Sequence, residues 1–557
     1  MTLLIDMKKN IILLLLFFSC VLAVAQDLKT TEIKVIEALK VSVPDAFKLN
    51  TKASFSDTTK QDKTQKYSFI DQLYYSNFTT RSLVAAKIKS KAKFNFNSTS
   101  IRLSLGNYSF KSANITYNSK YNKSFSYGLR LVTNNNKYTT EEYEYSVKNN
   151  SQRFYFFTKS ILSKNIISSS LNYEKLVAQH DFSNTFNNDN ENQFTYSKLL
   201  CSIKSREAVS KGFTHETSLF FTDLNSFTEN HFSLYSNIRK QSAFKPISLL
   251  IEYDNYLNYS NDKTSFGRDK TDAKIVDFTP SIFINKDGFD IDLGFNLGFE
   301  NSSNTNKIDV FPEIKISKEF VEDILNMTFG IHHTDYRNSI YSLSKENPYI
   351  YSFGLNSGGV GDTINYTHEL RTTDLYEAYY SLNNKLSQNE MLSFEIGFGK
   401  EFDLHYYDFD TIPYYHRFSV NYIDIWQLRV NGEYSRKFNN LLSMNLNIDY
   451  FNWFDAIVPH RSNLLGSLKI PFTLRNKIKA IPSLSYFGER DAHSHSSEFE
   501  LIQLDEQYLI NLSVSYNYSK NLGFYIDFNN LSNSKKQLWN GYQQIGLNMV
   551  FGLNCLF

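Results

Sequence analysis

From about residue 98 to the end of the chain, apolar side chains fall on every second position in run after run, with clusters of Gly, Asn, Asp, Ser and Lys between the runs. The last thirteen residues show the longest example. Ile545, Leu547, Met549, Phe551, Leu553, Cys555 and Phe557 share one parity, and Gly546, Asn548, Val550, Gly552, Asn554 and Leu556 between them are mostly small or polar. A period of two sends alternate side chains to opposite faces, so this stretch predicts a strand with one apolar face. At about 3.4 Å per residue and a tilt near 45°, it would rise roughly 30 Å, enough to cross a membrane core. Strands of soluble sheets are usually half as long. On this parity Ile545, Leu547, Met549, Phe551 and Leu553 are expected to face lipid.

The same alternation recurs through Ile101, Leu103 and Leu105, through Phe125, Tyr127, Leu129 and Leu131, and through Ile478, Ala480, Pro482, Leu484 and Tyr486. It returns in Ile510, Leu512, Val514, Tyr516 and Tyr518, then in Phe524, Ile526 and Phe528. The clearest hairpin joins 278–284 to 289–299 across Asn285-Lys286-Asp287-Gly288, because Asp-Gly between alternating runs suits a tight turn. Short turns fall near 121–123, 163–165, 285–288, 387–390, 438–440, 473–476 and 519–521. Long ones fall near 134–150, 178–192, 259–271, 335–372, 487–503 and 531–541. Outer-membrane barrels have short periplasmic turns and long external loops. The expected fold is all-β: a transmembrane antiparallel β-barrel over residues 98–557, with about 22 strands in a range of 16–24. The number is even because both barrel ends lie in the periplasm.

Composition sharpens this picture. The chain has 47 Phe and 38 Tyr yet a negative mean hydropathy. A barrel pairs every backbone group between strands, so only alternate residues need be apolar. With 59 basic and 57 acidic residues the net charge is +2, which argues against a nucleic-acid partner. Met7-Lys8-Lys9-Asn10, the apolar run 11–22 and Ala23-Val24-Ala25 have the parts of a secretory signal peptide. Cleavage is expected after Ala25, so that residues 1–25 are removed and the protein leaves the cytoplasm. Residues 26–97 read as a periplasmic lead-in, partly unstructured, with too little apolar content for a core of its own. Of the three cysteines, Cys20 lies in the leader, and Cys201 and Cys555 are expected to be unpaired, buried thiols.

Candidate chemistry is thin. His332-His333 and His493-Ser494-His495 could bind a metal, but adjacent strand residues point to opposite faces and the second group reads as a polar loop. Asp287, Asp290 and Asp292 around Gly288 lack the Glu of a calcium loop, and Asp290 and Asp292 are the lumen-facing partners of Phe289 and Ile291. Trp426, Trp453 and Trp539 suit the lipid–water boundaries. A barrel hydrolase needs Ser, Asp and His together at the rim, and no spacing singles out such a set. No catalytic, cofactor or metal residue is predicted, and the protein is expected not to be an enzyme.

Two further sets of residues carry a resemblance. Residues 521–531, ending Asn529-Asn530-Leu531, together with Leu538-Trp539-Asn540-Gly541-Tyr542, resemble the penultimate strand and last loop of TonB-dependent receptors from Bacteroidetes. Leu375-Tyr376-Glu377-Ala378-Tyr379 and Phe311-Pro312-Glu313-Ile314 are similar to mid-barrel strands of that group. The resemblance covers roughly residues 98–557 and implies a Gram-negative outer-membrane location, passage or binding of a solute, and recognition of Phe557 by the barrel-assembly machinery. Residues 26–97 are too few for the plug domain that such receptors carry, so the nearest likeness is to plug-less, receptor-like barrels. The alternatives are a non-conducting scaffold for a surface lipoprotein or periplasmic partner and, less in keeping with the sequence, a barrel-embedded hydrolase. Something must narrow so wide a lumen. The loop near 335–372, with Gly354, Gly358, Gly359 and Gly361, and part of the lead-in are the expected fillers.

Overall fold

The computed structural model describes residues 98–557 except 121, 123, 140–145, 182–190, 207–211, 226–228, 241–244, 259–271, 303–304, 351–369, 410–417, 455 and 495–496. The expected signal peptide, the expected lead-in and the glycine cluster of 352–363 lie outside the described residues.

Every main-sheet strand pairs antiparallel with its sequence neighbours, beginning with Thr99–Gly106 and Lys111–Asn118. The first strand also pairs with the last, Asn548–Leu556, and closes the sheet on itself. Thr99 and Phe557 seal the seam by exchanging backbone bonds of 3.0 and 2.8 Å. The sheet has 23 strand segments. Two of these, Leu464–Lys469 and Phe472–Leu474, pair with the same neighbour, Ile478–Phe487, and are one strand interrupted at Ile470-Pro471. The barrel therefore has 22 staves. Its size and closure are those of an outer-membrane barrel. Among the described residues no helix is long and apolar enough to cross a membrane, and the strands do the crossing.

Alternation sorts the two faces. Leu103, Leu105, Leu131, Leu199, Phe221, Phe295, Phe329, Phe398 and Phe551 are among the large apolar side chains exposed on the outside, where lipid would cover them. Inward parity carries polar groups that bond from strand to strand, such as Ser168 to Ser202 at 2.6 Å and Ser248 to Ser281 at 2.7 Å. The start of the first barrel strand and the end of the last share one rim with the turns near 163–165 and 285–288, and the long connections share the other. Asp287 and Gly288 both have positive φ, 53° and 76°, and link Lys286 to Phe289 as a two-residue turn, so Asn285 and Lys286 of the expected 285–288 turn belong to the strand. Loop lengths differ from expectation where strands run on: Phe125–Thr139 and Ser146–Ile161 leave only 140–145 between them. Residues 488–506 contain the hairpin Arg490–Ser494 and Ser497–Leu504.

Several expectations need correction. The last strand is nine residues, so Ile545 and Leu547 lie before it. Met549 sits at its loop-rim end, and Phe551 and Leu553 occupy the middle. The cysteines are unpaired but not buried: Cys201 is exposed and Cys555 intermediate, both on the outward parity that pairs Cys201 with Leu219. Of the three tryptophans only Trp426 faces outward, stacked on Phe398 at 5.3 Å. Trp453 packs beside the buried Leu404, Ile425 and Val458, and Trp539 packs in the mouth.

Candidate functional site

The strands differ greatly in length. Glu390–Phe409 and Phe418–Lys437 have 20 residues each, about 65 Å of chain, and at a tilt near 45° rise roughly 45 Å, well beyond an apolar band about 25 Å tall. Their upper parts lose their flanking neighbours. The ladder between Asn306–Val321 and Leu325–Arg337 stops at Ile314↔Ile331, and that between Phe418–Lys437 and Ser443–Phe454 stops at Trp426↔Phe454. Released on both sides, the tops of four consecutive strands, 332–337, 372–377, 402–409 and 418–425, form a tongue.

Parity shows where the tongue goes. Pairing of Leu325–Arg337 with Thr372–Ser387 is unshifted, and that of Thr372–Ser387 with Glu390–Phe409 is unshifted from Asn384↔Leu392 up to Asp374↔Phe402, so His333, Asp335, Arg337, Asp374 and Tyr376 share the outward parity of Phe329 and belong to the outward set. Yet they meet inward-facing residues of earlier strands. Lys307 Nζ donates to Asp374 at 2.6 Å, Arg337 lies 3.5 Å from Glu300, and Tyr376 meets Phe311 at a ring distance of 5.0 Å. The tongue has curled inside the wall.

Its outward face then packs on a core at the mouth. Tyr407, Phe418 and Val420 of the tongue cluster with Phe194, Tyr196 and Leu224 from the far side of the barrel and with Ile340, Leu343 and Tyr542. Helix α1 (Ile340–Glu346) is the keystone. Ser339 caps it by accepting the Ser342 N–H. Glu229 accepts the N–H groups of Ile340 and Tyr341 at 3.1 and 3.5 Å, Tyr341 stacks on Tyr196 at 3.7 Å, and Lys345 binds Glu174, which Arg153 also holds at 2.8 Å. On the tongue side Tyr407 donates to the Leu343 carbonyl at 3.1 Å and His405 bonds Glu346 at 2.7 Å. Burial pulls the Glu346 carboxyl up, but the His405 hydrogen bond and the Arg461 charge outweigh it and hold it below the usual carboxylate range. Later loops complete the closure. Tyr542 stacks on Tyr349 at 3.8 Å, and His460 accepts the Asn540 N–H at 3.3 Å.

Below the mouth, Glu377 is 1% exposed and grips Arg429 through two bonds of 3.2 and 2.8 Å, and Arg429 reaches Glu395 at 2.7 Å. Gly397 lets this happen, because a Cβ there would collide with the Glu377 carboxylate. Asp292, Glu313, Lys315, His332, Tyr379 and Glu395 line a recess of about 360 Å³ in the inner wall. The lumen wall can thus hold charged solutes by paired, fixed charges.

The histidines fall apart as metal ligands. His332 faces the lumen, 3.8 Å from Glu377, whereas His333 faces the opposite way, 3.1 Å from Asp374. His493 is not in a free loop but in a hairpin, bonded to Asp408 at 2.8 Å, and His495 lies outside the described residues. Asp290 binds Asn285 at 2.6 Å, while Asp292 lines the recess. Among the described residues no three metal-ligating side chains converge. Glu229, Arg429, Lys307 and Asp374 went unremarked in the sequence, and Glu377 was named only within a strand that resembles the receptor group. Their signal was a lone charge within an alternating run.

A closed, 22-stave antiparallel barrel with an apolar outside, a charged inside and long loops at one rim is an outer-membrane β-barrel. Solved structures agree in fold. The FrpB iron transporter from Neisseria meningitidis matches at a TM-score of 0.60 and 8% identity, covering 83% of this chain and 82% of that one. A ferric enterobactin receptor from Pseudomonas aeruginosa matches at 0.58 and 9%, covering 82% and 80%. The siderophore receptor PirA from Acinetobacter baumannii matches at 0.57 and 10%, covering 84% and 81%. No family model and no curated protein matches the chain.

Proposed function

We propose that this protein is a TonB-dependent-receptor-like barrel without a separate plug, which passes or binds a solute at the outer membrane behind a mouth closed by its own tongue and helix. The observation that carries this is the tongue. Four strand tops that could have continued the wall instead cross to the opposite staves and dock through α1, as a movable closure would. The shared fold with an iron transporter, a copper transporter and siderophore receptors supports solute uptake over enzymatic work. On this proposal residues 1–25 are removed near Ala25, residues 26–97 lie in the periplasm, lipid covers the outer face, and the assembly machinery reads Phe557. A periplasmic or surface lipoprotein partner would supply the force or the selectivity that opens the mouth.

The filled mouth also favours a second reading, a non-conducting scaffold with an external platform. Planar-bilayer recording separates the two. Under the first, wild-type protein is mostly silent, and a variant that undocks α1, such as Leu343→Ala, shows frequent large openings. Silence in both, with the variant folded and its helix undocked, supports the scaffold.

A further inference from the structure

The recess in the inner wall carries two opposite charges that no described residue satisfies. Asp292 and Lys315 stand directly opposite each other across the ladder between Phe289–Ser302 and Asn306–Val321, both on the inward parity and both lining the hollow. Opposed positions on adjacent strands put Cβ atoms about 5 Å apart, and a carboxylate facing an ammonium there ordinarily closes into an ion pair. Here it does not. Among the described residues neither side chain makes a salt bridge or hydrogen bond, and one carboxylate oxygen of Asp292 is buried with no donor. Shutting a carboxylate oxygen away from water without a donor is costly, so the arrangement is that of a site awaiting a donor from outside the chain.

The other charges of the recess already have partners. Glu395 holds Arg429 at 2.7 Å, and His332 lies 3.8 Å from Glu377. Glu313 accepts the His333 N–H at 2.9 Å with one oxygen and keeps the other for the hollow. Two inward positions without side chains leave the space: Gly294 opposite Glu313, and Gly330 opposite Lys315. Tyr379 lays its ring over Gly330, where a Cβ would collide with it, and forms an aromatic wall. At about 360 Å³ the hollow has the size of a small-molecule pocket.

Charge selects the occupant. A purely cationic solute would sit beside the unpaired Lys315 ammonium, and a purely anionic one would face Asp292, Glu313 and Glu395. A solute with one charge of each sign meets both. We propose that the recess binds zwitterions of the amino-acid class, amino acids or short peptides with free ends, with the ammonium at Asp292 and Glu313 and the carboxylate at Lys315. This rests on the reading of the barrel as one that passes or binds a solute, and it names the class of that solute. Asp292 is three residues above Phe289, roughly 7 Å above the turn rim, so the site lies in the lumen well below the tongue.

The test is equilibrium dialysis of the full-length protein in detergent against radiolabelled trialanine in three forms: free at both ends, N-acetylated, and C-amidated. The free peptide is expected to bind, and blocking either end to weaken binding about tenfold or more. Asp292→Asn should weaken the free and C-amidated peptides and leave the N-acetylated one as it was. Lys315→Gln should weaken the free and N-acetylated peptides and leave the C-amidated one as it was. Heat-modifiability checks that each variant is folded, and each substitution reads a different end, so one misfolded variant leaves the other decisive. The assignment is overturned if the free peptide does not bind, if a blocked peptide binds as well as the free one, or if blocking costs as much in the folded variants as in wild type. Bilayer recording is read separately. Peptide binding by a barrel that stays silent with α1 undocked keeps the site and removes passage of a solute, whereas openings without peptide binding remove the site alone.

Discussion

Leu343→Ala tests the closure most directly. Leu343 is 1% exposed, in the helix between the far staves and the tongue, with its carbonyl bound to Tyr407. Truncating so buried a leucine costs about 2–5 kcal/mol, the transfer loss plus the cavity left behind. The barrel ladder does not run through α1, so this loss falls on docking of the helix rather than on the strands. At about 1.4 kcal/mol per factor of ten, the undocked population should rise by roughly thirtyfold to a few thousandfold. The assay is single-channel recording of purified protein, with hydrogen exchange at α1 as an independent measure of docking. Leu199→Ala, on the lipid face, is the control and should leave both unchanged. The idea fails if Leu343→Ala frees the α1 amides while conductance stays at the wild-type level, because the helix would then be docked in the mouth without closing it.

Other outcomes follow from the same geometry. Arg at Leu553, near the middle of the last strand on its lipid face, should cost about 2–4 kcal/mol in a refolding titration, and Arg at Asn554 on the inner parity much less; equal costs would mean the faces are wrongly assigned. Arg429→Met should cost about 3–5 kcal/mol by leaving Glu377 buried without its partner, and adding Glu377→Gln should recover much of it; an additive double variant would deny the coupling. Because the folded Glu346 carboxyl is held below its ordinary value, its contribution to docking is full above that value and lost as pH falls through the folded one. Openings should therefore be insensitive to pH near neutrality and increase only on strong acidification, and Glu346→Gln should remove that acid response. Deleting Phe557 should lower the amount of heat-modifiable barrel in outer membranes, and normal levels would place the assembly signal elsewhere.

The barrel was legible in the sequence because its determinants are local. Side-chain parity repeats every two residues, so Leu103, Phe295 or Phe551 can be assigned to lipid from their own runs, and the Asp287-Gly288 turn from its two residues. The stave count came from counting those runs, and its evenness from the two ends sharing a rim. Parity alone also misleads. His333, Asp335, Arg337 and Asp374 sit on the lipid parity, and read that way they would be charges facing hydrocarbon. Only the tertiary structure shows the ladder ending at Ile314↔Ile331 and the tongue passing inside the wall, where the same residues meet Glu300 and Lys307. Trp539 was misplaced for a related reason: an aromatic in a loop carries no sign of whether it meets a head group or Tyr407 and Phe418. Glu229 and α1 are 111 residues apart, and Glu174 and Lys345 are 171. No periodicity spans such separations. Strand and face depend on neighbours in sequence, whereas the closed mouth depends on which staves face each other across the ring, and only ring closure sets that.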